Sequence, residues 1–208
     1  MPDWTLERAA VADGARLVCG IDEAGRGPWA GPVVAGAVVL DPETLGETLL
    51  RGLDDSKKLK PQAREVLFRE LQARARIGVG IADVDEIDSL NILQATMLAM
   101  ARALGDLGTP APDMALVDGN RVPELACAVR TVVKGDGLSL SIAAASVVAK
   151  VSRDRMMAEL DRRHPGYGWA RNAGYGTAEH QAALASLGVT PAHRRSFAPI
   201  RKILSPDR

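Results

Sequence analysis

Apolar and polar positions follow two distinct rhythms along this 208-residue chain. Residues 15–24 and 32–40 are short, almost continuously apolar runs separated by a glycine-rich stretch, which predicts two strands joined as a hairpin. Asp41-Pro42-Glu43 breaks the second run, and Leu53-Asp54-Asp55-Ser56-Lys57-Lys58-Leu59 reads as a polar loop. Val66, Leu67 and Leu71 then give residues 61–75 a helical period. Ile77 to Ile81 alternates with glycine as a third strand, closed by Asp83-Val84-Asp85. Over residues 91–104, Ile92, Leu93, Met97, Met100 and Leu104 fall on one broad helical face. Met114-Ala115-Leu116-Val117 and residues 126–133 predict two more strands, and an alanine-rich helix follows over 140–162. A loop rich in Gly, Pro and aromatic residues (164–176), a helix near 178–187 and a short basic tail complete the chain.

A hairpin-rich first half followed by βαβ crossovers predicts an α/β fold, a mixed sheet with helices packed on it. The length suits one domain, residues 1–208, in which 164–208 form a helical, basic extension. Ligands in such sheets collect at the carboxyl ends of parallel strands. Acidic residues recur at those ends, each beside glycine: Asp22 and Glu23, then Asp118, then Asp136. One such ending is commonly only a turn; three point to a site.

Composition narrows the class. The chain is 47% hydrophobic and 25% charged, as soluble globular proteins are. Cys19 and Cys127 lie in apolar runs without metal-ligand spacing, so buried free thiols and a reducing, cytoplasmic setting are expected. No signal-peptide or membrane-spanning pattern appears, and a soluble monomer is the expectation. The overall charge balance hides an asymmetry. Residues 150–208 carry 11 Lys and Arg against 5 Asp and Glu, while the first 149 carry 15 against 21. That distribution suits a protein that grips a polyanion at one end and holds cations at the other.

The segment Gly20-Ile21-Asp22-Glu23-Ala24-Gly25-Arg26-Gly27 sets the chemistry. Buried carboxylates need partners or a metal. The glycine turn that follows suits a phosphate or sugar, and carboxylates share a site with phosphate only when cations stand between them. A histidine-free oxygen ligand set suits Mg²⁺ or Mn²⁺. Two such ions about 4 Å apart can activate water and stabilise the leaving oxygen of a phosphodiester without any protein nucleophile. Gly25, Gly27 and Gly31 give GxGxxxG, which misses the dinucleotide spacing, and no Walker lysine follows.

Together, Gly20-Ile21-Asp22-Glu23-Ala24-Gly25-Arg26-Gly27-Pro28, Asp55-Ser56-Lys57-Lys58-Leu59, Val117-Asp118-Gly119-Asn120, Lys134-Gly135-Asp136 and Ala144-Ala145-Ser146-Val147-Val148-Ala149-Lys150 resemble bacterial ribonuclease HII. Gly174-Tyr175-Gly176-Thr177 and His193-Arg194-Arg195-Ser196-Phe197 extend the resemblance over nearly the whole chain. It implies a ribonuclease H-like fold, with cleavage of RNA in RNA–DNA hybrids. It also implies incision 5′ of single ribonucleotides in duplex DNA, with Mn²⁺ or Mg²⁺ and 3′-hydroxyl and 5′-phosphate products. On this resemblance Asp22, Glu23, Asp118 and Asp136 match the catalytic metal ligands. Gly25-Arg26-Gly27 matches the loop whose backbone reads the ribose 2′-hydroxyl, and Tyr175 the tyrosine that packs on the next deoxyribose. Lys57 or Lys58 contacts phosphate; Ser146 and Lys150, one helical turn apart, could meet the nucleic-acid backbone, with Arg194 and Arg195 as secondary candidates.

Other readings are plainer. Asp55 and Ser56 could simply form a turn or cap, and Tyr167 and Trp169 pack their loop. Asp83, Asp85, Glu86 and Asp88 read as a solvated acidic run, and Asp154 as a surface partner of Arg153 or Arg155. The three histidines lack ligand spacing. Trp29 stands where the family more often has a smaller residue, beside the reading turn. The additional N-terminal domain of the ribonuclease HIII type is not expected here, and the tail is too weak a motif to predict a replication-clamp partner. Another metal-dependent nuclease of the same fold, or a non-enzymatic nucleotide-binding module, are the competing functions. The 2′-hydroxyl reader argues against the first and the glycine spacing against the second.

Overall fold

A computed structural model describes residues 1–54, 56 and 59–205. In chain order the elements are α1 (Thr5–Ala12), β1 (Val18–Ala24), β2 (Val33–Val39), α2 (Glu47–Gly52), α3 (Pro61–Arg74), β3 (Arg76–Ala82), α4 (Val84–Leu90) and α5 (Ile92–Asp106). They continue with β4 (Met114–Asp118), β5 (Ala128–Val132), a 3₁₀ turn (Gly135–Gly137), α6 (Leu140–Arg163), α7 (Trp169–Asn172), α8 (Ala178–Leu187) and α9 (Ala198–Leu204). The five strands lie in the order β3-β2-β1-β4-β5. β1, β2 and β3 pair antiparallel, as the hairpin pattern requires, while β4 and β5 run parallel to β1. The expected mixed sheet is present. Its crossovers are not all helical, however: β4 reaches β5 through a loop, residues 119–127.

Each sheet face is covered by one long helix. Cys19, Ile21, Ala35 and Ala37 meet Ala95, Ala99, Met100 and Ala103 of α5 on one side. On the other, Val38 and the α3 residues Leu67, Phe68 and Leu71 share a core with Ala144, Val147, Val148 and Val151 of α6. Small residues decide how close α6 can lie. A Cβ on Gly20 would stand 2.1 Å from the Ser141 backbone, and one on Gly36 would stand 2.5 Å from the Ala145 carbonyl oxygen. The period-2 rule puts Gly20 and Asp22 on this same face, so the close helix also borders the first carboxylate.

Several elements lie outside the sequence-based expectation. α1 is short; Ala10 packs with Val18, Leu116 and Ile142, Asp3 just before it bridges Ser139 through the backbone, and Glu7 adds a side-chain anchor. Glu7 Oε1 accepts hydrogen bonds from Ser139 Oγ, Ser141 N and Ser141 Oγ, tying α1 to the start of α6. The acidic run at 83–88 is not merely solvated surface. Asp83 caps α4 in a reciprocal box with Glu86, Glu86 pairs with Arg102, and Asp88 receives the N–H groups of Arg195 and Ser196. Three of the four carboxylates in these six residues, Asp83, Glu86 and Asp88, are drawn into capping, pairing and bridging.

The C-terminal segment packs as its own small core. Trp169, Tyr167, Met157, Leu184 and Ile200 are buried around Ala30, with Trp29 beside them. Tyr167 and Trp169 do pack the loop, their rings stacked 4.9 Å apart. Cys19 is a buried free thiol, whereas Cys127 is only half-buried. Among the described residues no helix is long and apolar enough to cross a membrane.

Candidate active site

The parallel strands bring the acidic ends of β1 and β4 to one edge of the sheet, and the turn after β5 carries Asp136. Ile21 of β1 pairs with Val117 of β4, so the next residues, Asp22 and Asp118, lie abreast. Asp118 in turn sits across from Val132 at the end of β5. Beyond β5 the chain turns sharply at Lys134, a non-glycine residue with φ of 58°. Such a conformation costs roughly 1 kcal/mol and needs a compensating contact. One lies next door: the Gly135 N–H donates to Asp118 Oδ1 at 2.7 Å. That bond aims Asp118 and fixes the turn carrying Asp136.

Asp22 is almost fully buried. Its Oδ1 accepts the Glu23 N–H at 2.7 Å, and the Ser146 hydroxyl bonds to it from α6. Burial raises its pKa well above the ordinary carboxylate range, and the charges of Glu23 and Asp118 push the same way. Glu23 also pairs with Arg26 at 3.2 Å. Among the described residues no three His, Cys, Asp or Glu side chains are gathered closely enough to hold an ion by themselves. Glu23 and Asp118 are each within electrostatic reach of Asp22, and Asp136 follows on the adjoining turn.

A groove of about 690 Å³ opens beside this edge, lined by Glu23, Gly25, Gly27, Ser146, Lys150 and Tyr175 among others. Gly27 and Tyr175, 148 positions apart, meet here: a Cβ on Gly27 would stand 3.3 Å from Tyr175 Cε1. The Tyr175 ring is half exposed and free to receive a planar or sugar surface. Trp29 lies under that loop and beside α8: a Cβ on Gly176 would come 2.1 Å from its Cζ2, and its ring centroid is 5.8 Å from that of His180. Ser146 is buried, with its hydroxyl 2.6 Å from Ser56 Oγ. Ser56 is thus part of a buried polar pair as well as of its loop. Lys150 borders the groove but is held by Asp154 at 2.6 Å. The expected partners of Asp154 are therefore wrong: Lys150 and Arg64 approach it, Arg155 pairs with Glu65, and Arg153 is buried. Lys57, Lys58 and Asp55 lie outside the described residues.

Two further arginines change role. Arg194 is not a surface phosphate contact; it is fully buried and donates to the carbonyls of Gly25, Arg26, Gly31 and Pro32. Arg195 is exposed and offers its main-chain N–H to Asp88. Arg153, equally buried, donates to the carbonyls of Ala30, Pro32 and Ala173. Burial lowers both guanidinium pKa values, to about 10 for Arg153 and about 9 for Arg194, so both stay charged at neutral pH. Sequence reasoning missed Arg153 and Arg64, whose Nη1 donates to the carbonyls of Ser56 and Leu59. Nothing local separates a buried arginine from an exposed one in an Arg-rich helix.

Comparison with known proteins gives this geometry a place. The family model described as Ribonuclease HII matches residues 19–200. A ribonuclease HII of Paramagnetospirillum magneticum is 62% identical over 204 residues, 98% of this chain and 99% of that protein. The crystal structure of ribonuclease H2 from Pyrococcus horikoshii superposes with a TM-score of 0.73 at 29% identity, covering 90% of this chain and 96% of that one. The fold also matches Bst-RNase HIII, solved in complex with Mn²⁺, with a TM-score of 0.77 at 21% identity over 96% of this chain and 73% of that one. The acidic sheet edge, the glycine loop and the groove between them therefore sit in a ribonuclease H-like fold, and the chain belongs to the ribonuclease HII family of ribonuclease H enzymes.

Proposed function

We propose that the enzyme, beyond the endonucleolytic cleavage of RNA in RNA–DNA hybrids that its family membership gives it, incises duplex DNA on the 5′ side of a single embedded ribonucleotide. The observation that carries this reading is the contact between Gly27 and Tyr175 at the mouth of the groove, one residue pair beside the acidic edge. Glycine at two of the three loop positions lets main-chain groups approach a ribose 2′-hydroxyl, the feature that separates RNA from DNA. The ring beside it presents a flat apolar face that suits the following sugar only when that sugar lacks the hydroxyl. The pair reads a junction.

Asp22, Glu23, Asp118 and Asp136 would hold divalent cations, Mg²⁺ or Mn²⁺. The fit rests on the chemistry of the donors: a buried carboxylate whose pKa is raised by burial and by two like charges is an oxygen site that a hard cation would stabilise. The structure of Bst-RNase HIII in complex with Mn²⁺ supports the choice of ion class. When bound, two such ions would supply an activated water and charge compensation for the leaving 3′-oxygen, giving 3′-hydroxyl and 5′-phosphate ends. The protein's own part is orientation. Ser146 and the Glu23 N–H steer Asp22, and the Gly135 N–H steers Asp118. Arg26 and Lys150 at the groove, with Lys57 or Lys58, would balance the phosphates.

The test is a labelled DNA duplex with one ribonucleotide, incubated with Mg²⁺ or Mn²⁺ beside an all-DNA duplex and EDTA controls. One metal-dependent cut 5′ of the ribonucleotide, with all-DNA intact, is expected. Cutting of both duplexes would make the enzyme a general nuclease. Cleavage of long hybrids alone would leave the junction reading without support.

A further inference from the structure

Reading a hydroxyl with main-chain atoms demands that those atoms stay within about half an ångström of the productive position. The segment from Gly25 to Pro32 contains three glycines and would be loose on its own. Two adjacent residues of the C-terminal segment, His193 and Arg194, hold both halves of the reader. Arg194 reaches Gly25 O at 2.6 Å, Gly31 O at 2.9 Å, Arg26 O at 3.0 Å and Pro32 O at 3.1 Å. Peptide units are planar and trans, so C=O and N–H point in opposite directions. With the Gly25 and Arg26 carbonyls turned onto the guanidinium, the Arg26 and Gly27 N–H groups of the same peptide units face away from it. A lysine could not reproduce this, because an ammonium is a point donor whereas the guanidinium fork spans several carbonyls in one plane.

His193 works on the other half. Its Nδ1 lies 2.9 Å from the Thr190 main-chain N–H, which can only donate. The proton of the neutral ring is therefore on Nε2, 3.0 Å from His180 Nε2. His180 Nε2, which also receives the Trp169 Nε1–H, must accept, leaving His180 Nδ1–H to donate to the Tyr175 carbonyl at 3.0 Å. A directed chain of hydrogen bonds thus runs from Thr190 to Tyr175 through two fully buried rings. The same strip is zipped to the reader loop: Gly31 N bonds Ala192 O, Arg194 N bonds Trp29 O, and Trp29 N bonds Gly174 O.

We propose that His193 and Arg194 are positioning residues for junction discrimination, Arg194 setting the Gly25-Arg26-Gly27 loop and His193, through His180, setting Tyr175. This rests on the junction reading above. Neither residue touches the substrate; together they fix the distance between the two surfaces that do.

The experiment compares kcat/KM on a single-ribonucleotide duplex with kcat/KM on a continuous RNA–DNA hybrid, for wild type, Tyr175→Ala, Arg194→Lys, His193→Leu and His193→Gln. Thermal melts confirm that each variant is folded. Arg194→Lys is expected to lower the single-ribonucleotide to hybrid ratio about tenfold, and His193→Leu about fivefold. His193→Gln keeps an amide donor toward His180 and is expected to recover most of the His193→Leu loss. Equal losses on both substrates, or an unchanged ratio, would overturn the proposal and leave these residues as fold supports. Should Arg194→Lys not fold, the His193 pair decides by the same criteria. A ratio insensitive to Tyr175→Ala would instead overturn the junction reading itself, and with it this inference. A shift with Tyr175→Ala but not with the Arg194 and His193 variants would overturn only the positioning role.

Discussion

Asp22 and Arg194 are both buried charges of the same site, and their surroundings differ in kind. Around Asp22 stand two more carboxylates, and burial pushes its pKa up. Around Arg194 stand four carbonyl oxygens that take up its N–H groups. The first environment raises the energy of the charge, which a cation would relieve in the proposed reading; the second satisfies the charge within the protein. A charge kept for chemistry is left for a ligand to complete, and a charge kept for architecture is saturated by the backbone. The two are carried differently as well. The acidic edge grows from strand ends locked in register, whereas the arginine and histidine clamp binds loops that have no ladder of their own.

That contrast is broken most directly at its acidic end. Asp22→Asn or Asp136→Asn is expected to cut single-turnover cleavage by about three orders of magnitude, some 4 kcal/mol of transition-state stabilisation. Substrate affinity, measured by fluorescence anisotropy, should stay within a few fold, because the basic groups are untouched. A parallel collapse of affinity would mean the carboxylates hold the fold rather than the reaction.

The clamp should reveal itself through pH. Burial lowers the pKa of His193 from 6.5 to about 4, and that of His180 also falls, with Glu179 and His164 as charged or titratable neighbours. Below pH 6.5 the unfolded chain takes up these protons and the folded chain does not, so stability falls as pH drops from 6.5 toward 4. The loss from His193 alone would reach roughly 3 kcal/mol. Chemical denaturation at pH 7 and pH 4.5 should give a smaller difference for His193→Gln than for wild type. An identical difference would place the acid sensitivity elsewhere.

Gly20→Ala sharpens the acidic side of the comparison. Its Cβ would have to displace the α6 backbone at Ser141 and Ile142, so a stability loss of about 2 kcal/mol is expected in a thermal melt. Unchanged stability would show that α6 can lift freely. The smallest effect belongs to Tyr175→Ala, about tenfold on the isolated ribonucleotide and less on long hybrids, read by gel assays of both substrates. Equal effects would make the ring a general packing surface.

How much of this was legible in the chain depends on the range of the interaction. The five strands, the long helices α5 and α6 and the acidic strand ends all follow from local periodicity and composition. The short helices α1 and α4 did not. α1 is held by residues far along the chain, through Asp3 beside Ser139, Glu7 on Ser139 and Ser141, and Ala10 against Leu116 and Ile142, and α4 was masked by an acidic run whose charges cap, pair and bridge. Asp154 was given the wrong partners because Arg153, its neighbour in sequence, points into the core while Lys150, one turn back, does not.

Sequence alone determined the α/β class, the carboxylates at the strand ends, and the glycine loop and tyrosine that resemble ribonuclease HII. Hydrophobic period and strand-end chemistry are local, so they are written in consecutive residues. Tertiary structure alone decided that Tyr175 meets Gly27, that Arg153 and Arg194 are buried clamps, and that His180 and His193 form one hydrogen-bonded pair. Those contacts join residues far apart in the chain. Whether an arginine faces water or a ring of carbonyls depends on what the rest of the fold brings against it, and no neighbouring residue records that.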